Sequence, residues 1–112
     1  MPAKLTFHPP NGASRVVMVR DGESLEIGRD LSCDLVLEDS TVSRRHARMC
    51  WSAGGWTLVD AGSKNGTTVN GEPARGAELR DGDQIGIGRL SGRFERLSAA
   101  QAATHDSERL AR

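Results

Sequence analysis

Tyrosine is absent from the 112-residue sequence, and phenylalanine and tryptophan contribute two residues each. Leu, Ile, Val and Phe together number 22, just under the roughly one-fifth fraction at which disorder becomes plausible. Disorder also wants high net charge, and here 15 basic residues balance 15 acidic ones. Such a chain folds only by burying nearly all of its large apolar side chains. No apolar run approaches the roughly 20 residues of a membrane helix, so no membrane partner is expected. The N-terminal stretch MPAKLTFHPP has neither the apolar segment nor the small-residue cleavage site of a secretory signal, and a cytoplasmic protein is expected. Excess positive charge is missing as well, which argues against sequence-independent binding to nucleic acid. Two cysteines, Cys33 and Cys50, are too few and too widely spaced for a Cys-rich zinc site. In the cytosol they are expected as reduced thiols.

Glycine, in contrast, is abundant at 13 residues. Five Asx–Gly pairs punctuate the chain: Asn11-Gly12, Asp21-Gly22, Asn65-Gly66, Asn70-Gly71 and Asp81-Gly82. Such pairs favour the positive φ of type I′ hairpin turns. Between them lie short runs of β character, read as strands near Leu5–His8, Arg15–Arg20, Ser24–Gly28, Asp34–Leu37, Ala47–Ser52, Trp56–Asp60, Thr67–Asn70, Gln84–Gly88 and Arg93–Leu97. Ile85 and Ile87 alternate with glycines, which predicts close approach of a neighbour or a tight bend. Many short strands with regular turn signals predict an all-β antiparallel sandwich or barrel. The domain is placed at residues 1–97. Residues 98–112, SAAQAATHDSERLAR, are alanine-rich and read as a frayed tail or a short helix capped by Ser98.

Polar residues concentrate between the strands, from Gly28 to Gly71. Ser43, His46 and Asp60 supply the residue types of a nucleophile, a base and its orienter. Ser43 does not have the Gly-x-Ser-x-Gly setting of an elbow nucleophile, and a hydrolase is not favoured. His8, His46 and His105 have no metal-ligand spacing, so neither metal nor cofactor is expected. An anion site fits better. Arg29 follows Gly28 at a strand end, and Arg44, Arg45 and Arg48 occur between Ser40 and Arg48 without an acid. Ser43 offers a hydroxyl, Asn65 an amide, and the loops around Gly62 and Gly66 free backbone N–H groups. A phosphorylated side chain carries about −1.5 to −2 charges and three strong acceptors, which arginine binds by charge-assisted hydrogen bonds.

The order Gly28-Arg29, Cys33-Asp34-Leu35-Val36-Leu37, Val42-Ser43-Arg44-Arg45-His46-Ala47, Gly62-Ser63-Lys64-Asn65-Gly66-Thr67 and Val69-Asn70-Gly71 resembles the forkhead-associated (FHA) domain. The later Leu79-x-x-Gly82-Asp83-x-Ile85-x-Ile87-Gly88 resembles that family's C-terminal strands, so the likeness runs from about Leu5 to Leu97. It implies an FHA/SMAD-like β-sandwich of two twisted, mainly antiparallel sheets that reads phosphothreonine peptides without catalysis. By position it implies that Arg29 clasps the phosphate and Ser43 donates its hydroxyl to it. Arg44 would line the pocket, touching phosphate or peptide backbone, and Asn65 would bond the peptide backbone and fix its register. His46 would sit behind the pocket, bonding loop backbone and holding the serine. Gly28 and Gly66 would serve backbone geometry. The implied partner is a phosphothreonine-containing protein, a Ser/Thr kinase or its substrate, bound by a monomeric adaptor. The alternative is a phosphate-independent protein-interaction module on the same fold.

Some positions depart from the family pattern. Lys64 stands where many relatives carry a small hydroxyl residue; it adds a phosphate contact or points to solvent. Arg45 reads as solvated, Cys33 as inert packing, and Trp51 and Trp56 as packing. Cys50 alternates to the face opposite Ala47 and Met49. Thr104 is the one threonine of the tail, and a self-ligand there is not favoured.

Overall fold

Apolar residues spaced two apart set the strands and the face each buries. In Ser24–Gly28 (β3), Leu25 and Ile27 are buried while Glu26 between them is only half-buried. In Ala47–Ser52 (β5), Ala47 and Met49 are buried and Arg48 is exposed. The computed structural model describes residues 2–9, 13–52 and 54–97. Nine further strands complete the fold: Ala3–His8 (β1), Arg15–Val19 (β2), Leu35–Val36 (β4), Gly55–Asp60 (β6), Thr67–Val69 (β7), Glu72–Pro73 (β8), Arg75–Glu78 (β9), Gln84–Ile87 (β10) and Leu90–Arg96 (β11). A six-stranded sheet runs β2-β1-β11-β10-β7-β8, and a five-stranded sheet runs β4-β3-β5-β6-β9. Neighbours are antiparallel except β3 and β4, which are parallel. The fold is the FHA/SMAD-like β-sandwich that the sequence predicts.

Between the sheets lies one apolar cluster. Leu5, Phe7, Ile85, Ile87 and Phe94 come from the six-stranded sheet, and Ile27, Met49, Trp56 and Leu58 from the other. Every described Leu, Ile, Val and Phe side chain is buried or half-buried except Val16, Leu31 and Val59. The thin apolar complement is thus almost fully used. Trp51 meets Trp56 edge-to-face at 5.0 Å between ring centres, so both tryptophans pack as expected.

Asn70-Gly71 reads in the sequence as a hairpin turn between Thr67–Val69 and a short Glu72–Ala74 segment, which the structure shows as β8, whereas β9 is not among the sequence-predicted strands. The residues of both strands, Glu-Pro and Arg-Gly-Ala-Glu, have low intrinsic β propensity. Pairing makes them strands: β8 folds back on β7, and β9 joins the edge of β6 with a register shift at Leu58/Val59. The predicted strand at Asp34–Leu37 contracts to Leu35–Val36. Among the described Asx–Gly pairs, only Asn70-Gly71 places both residues at positive φ, at 51° and 84°. That is the type I′ turn joining β7 to β8; at the others the glycine alone crosses over. Asn11-Gly12, the tail 98–112 with its predicted helix, His105 and Thr104 lie outside the described residues.

Candidate functional site

Three connections meet at one end of the sandwich: residues 29–34 after β3, 37–46 before β5, and 61–66 after β6. The first two are stitched together by backbone. The Arg29 N–H donates to Ser43 O at 3.0 Å and the Asp30 N–H to Arg44 O at 3.1 Å. The Arg29 Nε–H donates to Val42 O at 3.0 Å. The guanidinium is exposed yet held in place, with its two terminal nitrogens unpartnered among the described residues. Gly28 makes this junction possible, because a Cβ there would lie 2.1 Å from Arg44 O. Cys33, which is buried, donates its Sγ–H to the same carbonyl at 3.3 Å. Burial pushes its thiol pKa up, as fits inert packing.

His46, fully buried, joins the second connection to the third. Its Nδ1 accepts the Ser43 N–H at 3.0 Å, so Nε2 carries the proton and donates to Gly66 O at 2.8 Å. Ser43 Oγ accepts the Lys64 N–H at 3.0 Å, which leaves the serine proton free to donate outward. The third connection owes its shape to Asp60, whose Oδ2 accepts from the N–H groups of Gly62 at 3.0 Å and Ser63 at 2.9 Å. Its Oδ1 accepts the hydroxyls of Ser63 and Thr67. Burial works to raise the Asp60 pKa, but these hydrogen bonds together hold it below the usual carboxylate value.

Asn65 is anchored from the other side, through its Nδ2–H to Thr41 O at 2.8 Å. Thr41 is a hub. Its Oγ1 accepts the Arg89 N–H at 3.0 Å and donates to Asp39 Oδ2, and its own N–H donates to that oxygen at 3.0 Å. Arg89 closes the loop with Nη2 at 2.7 Å and Nε at 2.8 Å from Asp39 Oδ1. The Arg89 and Thr41 hydrogen bonds hold the Asp39 carboxyl down at about 2.

The fold thus gathers Arg29, Ser43, the Lys64 backbone and Asn65, with Gly28, His46 and Gly66 behind them. Arg44 and Arg45 are exposed at the rim. Both sit close enough to Asp30 to add to the lowering of its pKa, which comes first from hydrogen bonds with Ser32. Lys64 also lines an adjoining cleft with Asn65 and Arg75. A Ser–His–Asp relay is not formed: His46 meets the Ser43 N–H instead of its Oγ, and Asp60 bonds Gly62, Ser63 and Thr67. Among the described residues no His, Cys, Asp and Glu cluster suits a metal. Sequence reasoning passed over Thr41, Asp39 and Arg89. Asp39-Ser40-Thr41 does carry an Asx-turn signal, but Arg89 reaches it from 50 positions away.

Comparison with known proteins agrees with this fold. The FHA domain family profile matches residues 25–88. The glycogen accumulation regulator GarA of Mycolicibacterium smegmatis is 44% identical over 81 residues, which is 72% of this chain and 50% of that protein. The oxoglutarate dehydrogenase inhibitor of Corynebacterium jeikeium is also 44% identical over 81 residues, 72% of this chain and 55% of that protein. The chain therefore spans about half the length of these relatives. A domain solved in a study of phosphothreonine-dependent FHA domain interactions superposes with a TM-score of 0.77 at 34% identity, covering 88% of this chain and 99% of that one. The FhaA FHA domain, solved with the intracellular domain of Rv3910, gives 0.73 at 35% identity, covering 83% and 99%.

Proposed function

The chain belongs to the FHA domain family, and from that premise we propose that it is a phosphothreonine-dependent adaptor that recruits phosphorylated proteins in cytoplasmic Ser/Thr kinase signalling. The observation that carries this reading is the pairing of Arg29 with Ser43. Each spends one hydrogen bond on the protein, Arg29 through Nε on Val42 and Ser43 by accepting from Lys64. Each keeps donors for a ligand: the terminal guanidinium nitrogens and the serine proton. Donors already fixed in this way suit the terminal oxygens of a phosphate monoester. Asn65, exposed beside them, is assigned to the peptide backbone, and Arg44 and the Lys64 side chain to the rim. Nothing in the arrangement activates Ser43 as a nucleophile, in keeping with binding without turnover.

Titration of an oriented phosphothreonine peptide library and its unphosphorylated counterpart tests this. The phosphorylated pool should bind wild type, and Arg29→Ala should cost about 2 kcal/mol or more, as at a binding hot spot. Equal affinity for the two pools, or full binding by Arg29→Ala, would overturn the phosphate reading in favour of a phosphate-independent interaction module.

A further inference from the structure

Between β8 and β9 the chain crosses from one sheet to the other through a single residue, Ala74. Ala74 is buried, donates its N–H to Thr67 O at 2.8 Å, and accepts the Asp60 N–H at 3.3 Å. At this corner, between the residue 61–66 connection and the start of β9, lies a cleft of about 390 Å³. Asn65 forms part of its wall, so the cleft opens directly beside the residue assigned to the peptide backbone. Pro73 and Ala74 contribute an apolar wall, and Lys64 and Arg75 contribute two cations. Both cations are exposed, and neither has an acidic partner among the described residues. One carboxylate, that of Asp60, also lines the cleft, but its oxygens already take four hydrogen bonds. The cleft therefore has a net positive lining, and the one carboxylate in it is engaged with Gly62, Ser63 and Thr67 and not with either cation.

Resting on the phosphopeptide reading above, we propose that this cleft is a second anion subsite, in which Lys64 and Arg75 take an acidic side chain of the same bound peptide. A strand advances about 3.3 Å per residue. A peptide held at Asn65 thus carries a neighbouring side chain into the cleft within a few residues of the phosphothreonine. The shared chemistry is an oxyanion, either the carboxylate of Asp or Glu or a second phosphate. Lys64 supplies one of the two charges and Arg75 the other. Arg75 is aimed by the register shift between β6 and β9, where Val59 pairs with it, since such irregularities re-aim side chains.

The test uses a phosphothreonine peptide with neutral flanks, in which one residue is replaced in turn at each flanking position. One arm introduces Glu and a second arm introduces phosphoserine. The readout is the ratio of acidic-flank to neutral-flank affinity, for wild type and for a Lys64→Gln, Arg75→Gln double variant. At one position or a few adjacent ones, wild type should favour the Glu peptide about fivefold. The phosphoserine peptide should gain more, and both gains should shrink as salt is raised. In the double variant both ratios should fall to about one. A phosphoserine gain without a Glu gain assigns the subsite to a second phosphate, and gains in both arms assign it to either oxyanion. No gain at any position in wild type, or a gain that survives in the double variant, overturns the subsite. A neutral-flank phosphopeptide that binds wild type no better than its unphosphorylated form overturns the phosphopeptide reading itself, and the subsite with it.

Discussion

Gly28→Ala adds one methyl group where the fold has no room for it. The new Cβ would lie 2.1 Å from Arg44 O, 2.8 Å from its carbonyl carbon and 3.1 Å from Arg45 Cα. Non-bonded heavy atoms settle at about 3.5 Å, so the residue 43–45 segment must retreat by roughly 1 Å. Hydrogen bonds oppose that retreat: Arg29 N to Ser43 O at 3.0 Å, Asp30 N to Arg44 O at 3.1 Å, and Cys33 Sγ to Arg44 O at 3.3 Å. A displacement of roughly 1 Å carries most of these beyond bonding range. Two lost bonds at about 1 kcal/mol each, with about 1 kcal/mol of overpacking, give a destabilisation of about 3 kcal/mol. A small domain with the usual reserve of about 5–15 kcal/mol stays folded through that loss. Urea unfolding followed by the emission of Trp51 and Trp56 should show a midpoint lower by about 1.5 M at an unchanged slope of about 2 kcal/mol/M. Because the displaced segment carries Ser43 and Arg44, phosphopeptide affinity should fall too. Gly71→Ala is the control. Gly71 sits at φ 84° with nothing within 4 Å of its would-be Cβ, so the change costs about 1 kcal/mol of backbone strain and leaves binding intact. The reasoning fails if Gly28→Ala loses no more stability than Gly71→Ala and binds phosphopeptide as wild type does.

His46→Ala should destabilise by about 3 kcal/mol in the same assay, because it opens a cavity and strands the Ser43 N–H and the Gly66 carbonyl. A loss under about 1 kcal/mol would show that neither bond matters. Asp39 predicts a pH dependence. Its carboxyl is held at about 2 in the folded chain against an ordinary value of 3.8. A group lowered on folding contributes stability that is complete above its unfolded value and vanishes as pH falls through its folded one. The difference in urea midpoint between wild type and Asp39→Asn should therefore be constant from neutral pH to about 4 and shrink towards pH 2. A difference that widens on acidification would refute this.

The residues proposed for recognition are legible in the sequence because each is announced by its neighbours. Gly28-Arg29, Ser43-Arg44-Arg45-His46 and Lys64-Asn65-Gly66 keep glycine, hydroxyl and cation at fixed local spacings, and alternation gave the strands that carry them. What escaped is non-local. Arg75–Glu78 becomes a strand only because the edge of β6 is there to pair with it. Arg89 becomes part of the site only because β10 and β11 deliver it to Asp39. Asn65 shows the boundary between the two. Its local signal is a turn, and the turn is real, yet its anchor on Thr41 comes from 24 positions away. Turn propensity cannot encode that distance; the order of strands in two sheets does.

The same non-local bonds explain how a chain of zero net charge can present the proposed anion site. Phosphate recognition needs few cations if the remaining donors are neutral, close and already oriented. Here the orienting is done by two residues assigned no contact with the ligand. His46 fixes the Ser43 backbone against Gly66, and Thr41 fixes Asn65 against the β10–β11 turn. Each spans connections that would otherwise move independently, so the ordering cost of three loops is met on folding and not on binding. A change at either residue should then weaken affinity while leaving every proposed ligand contact chemically intact. Losing Arg29 would remove a contact; losing His46 or Thr41 would leave the contacts and dissolve their arrangement.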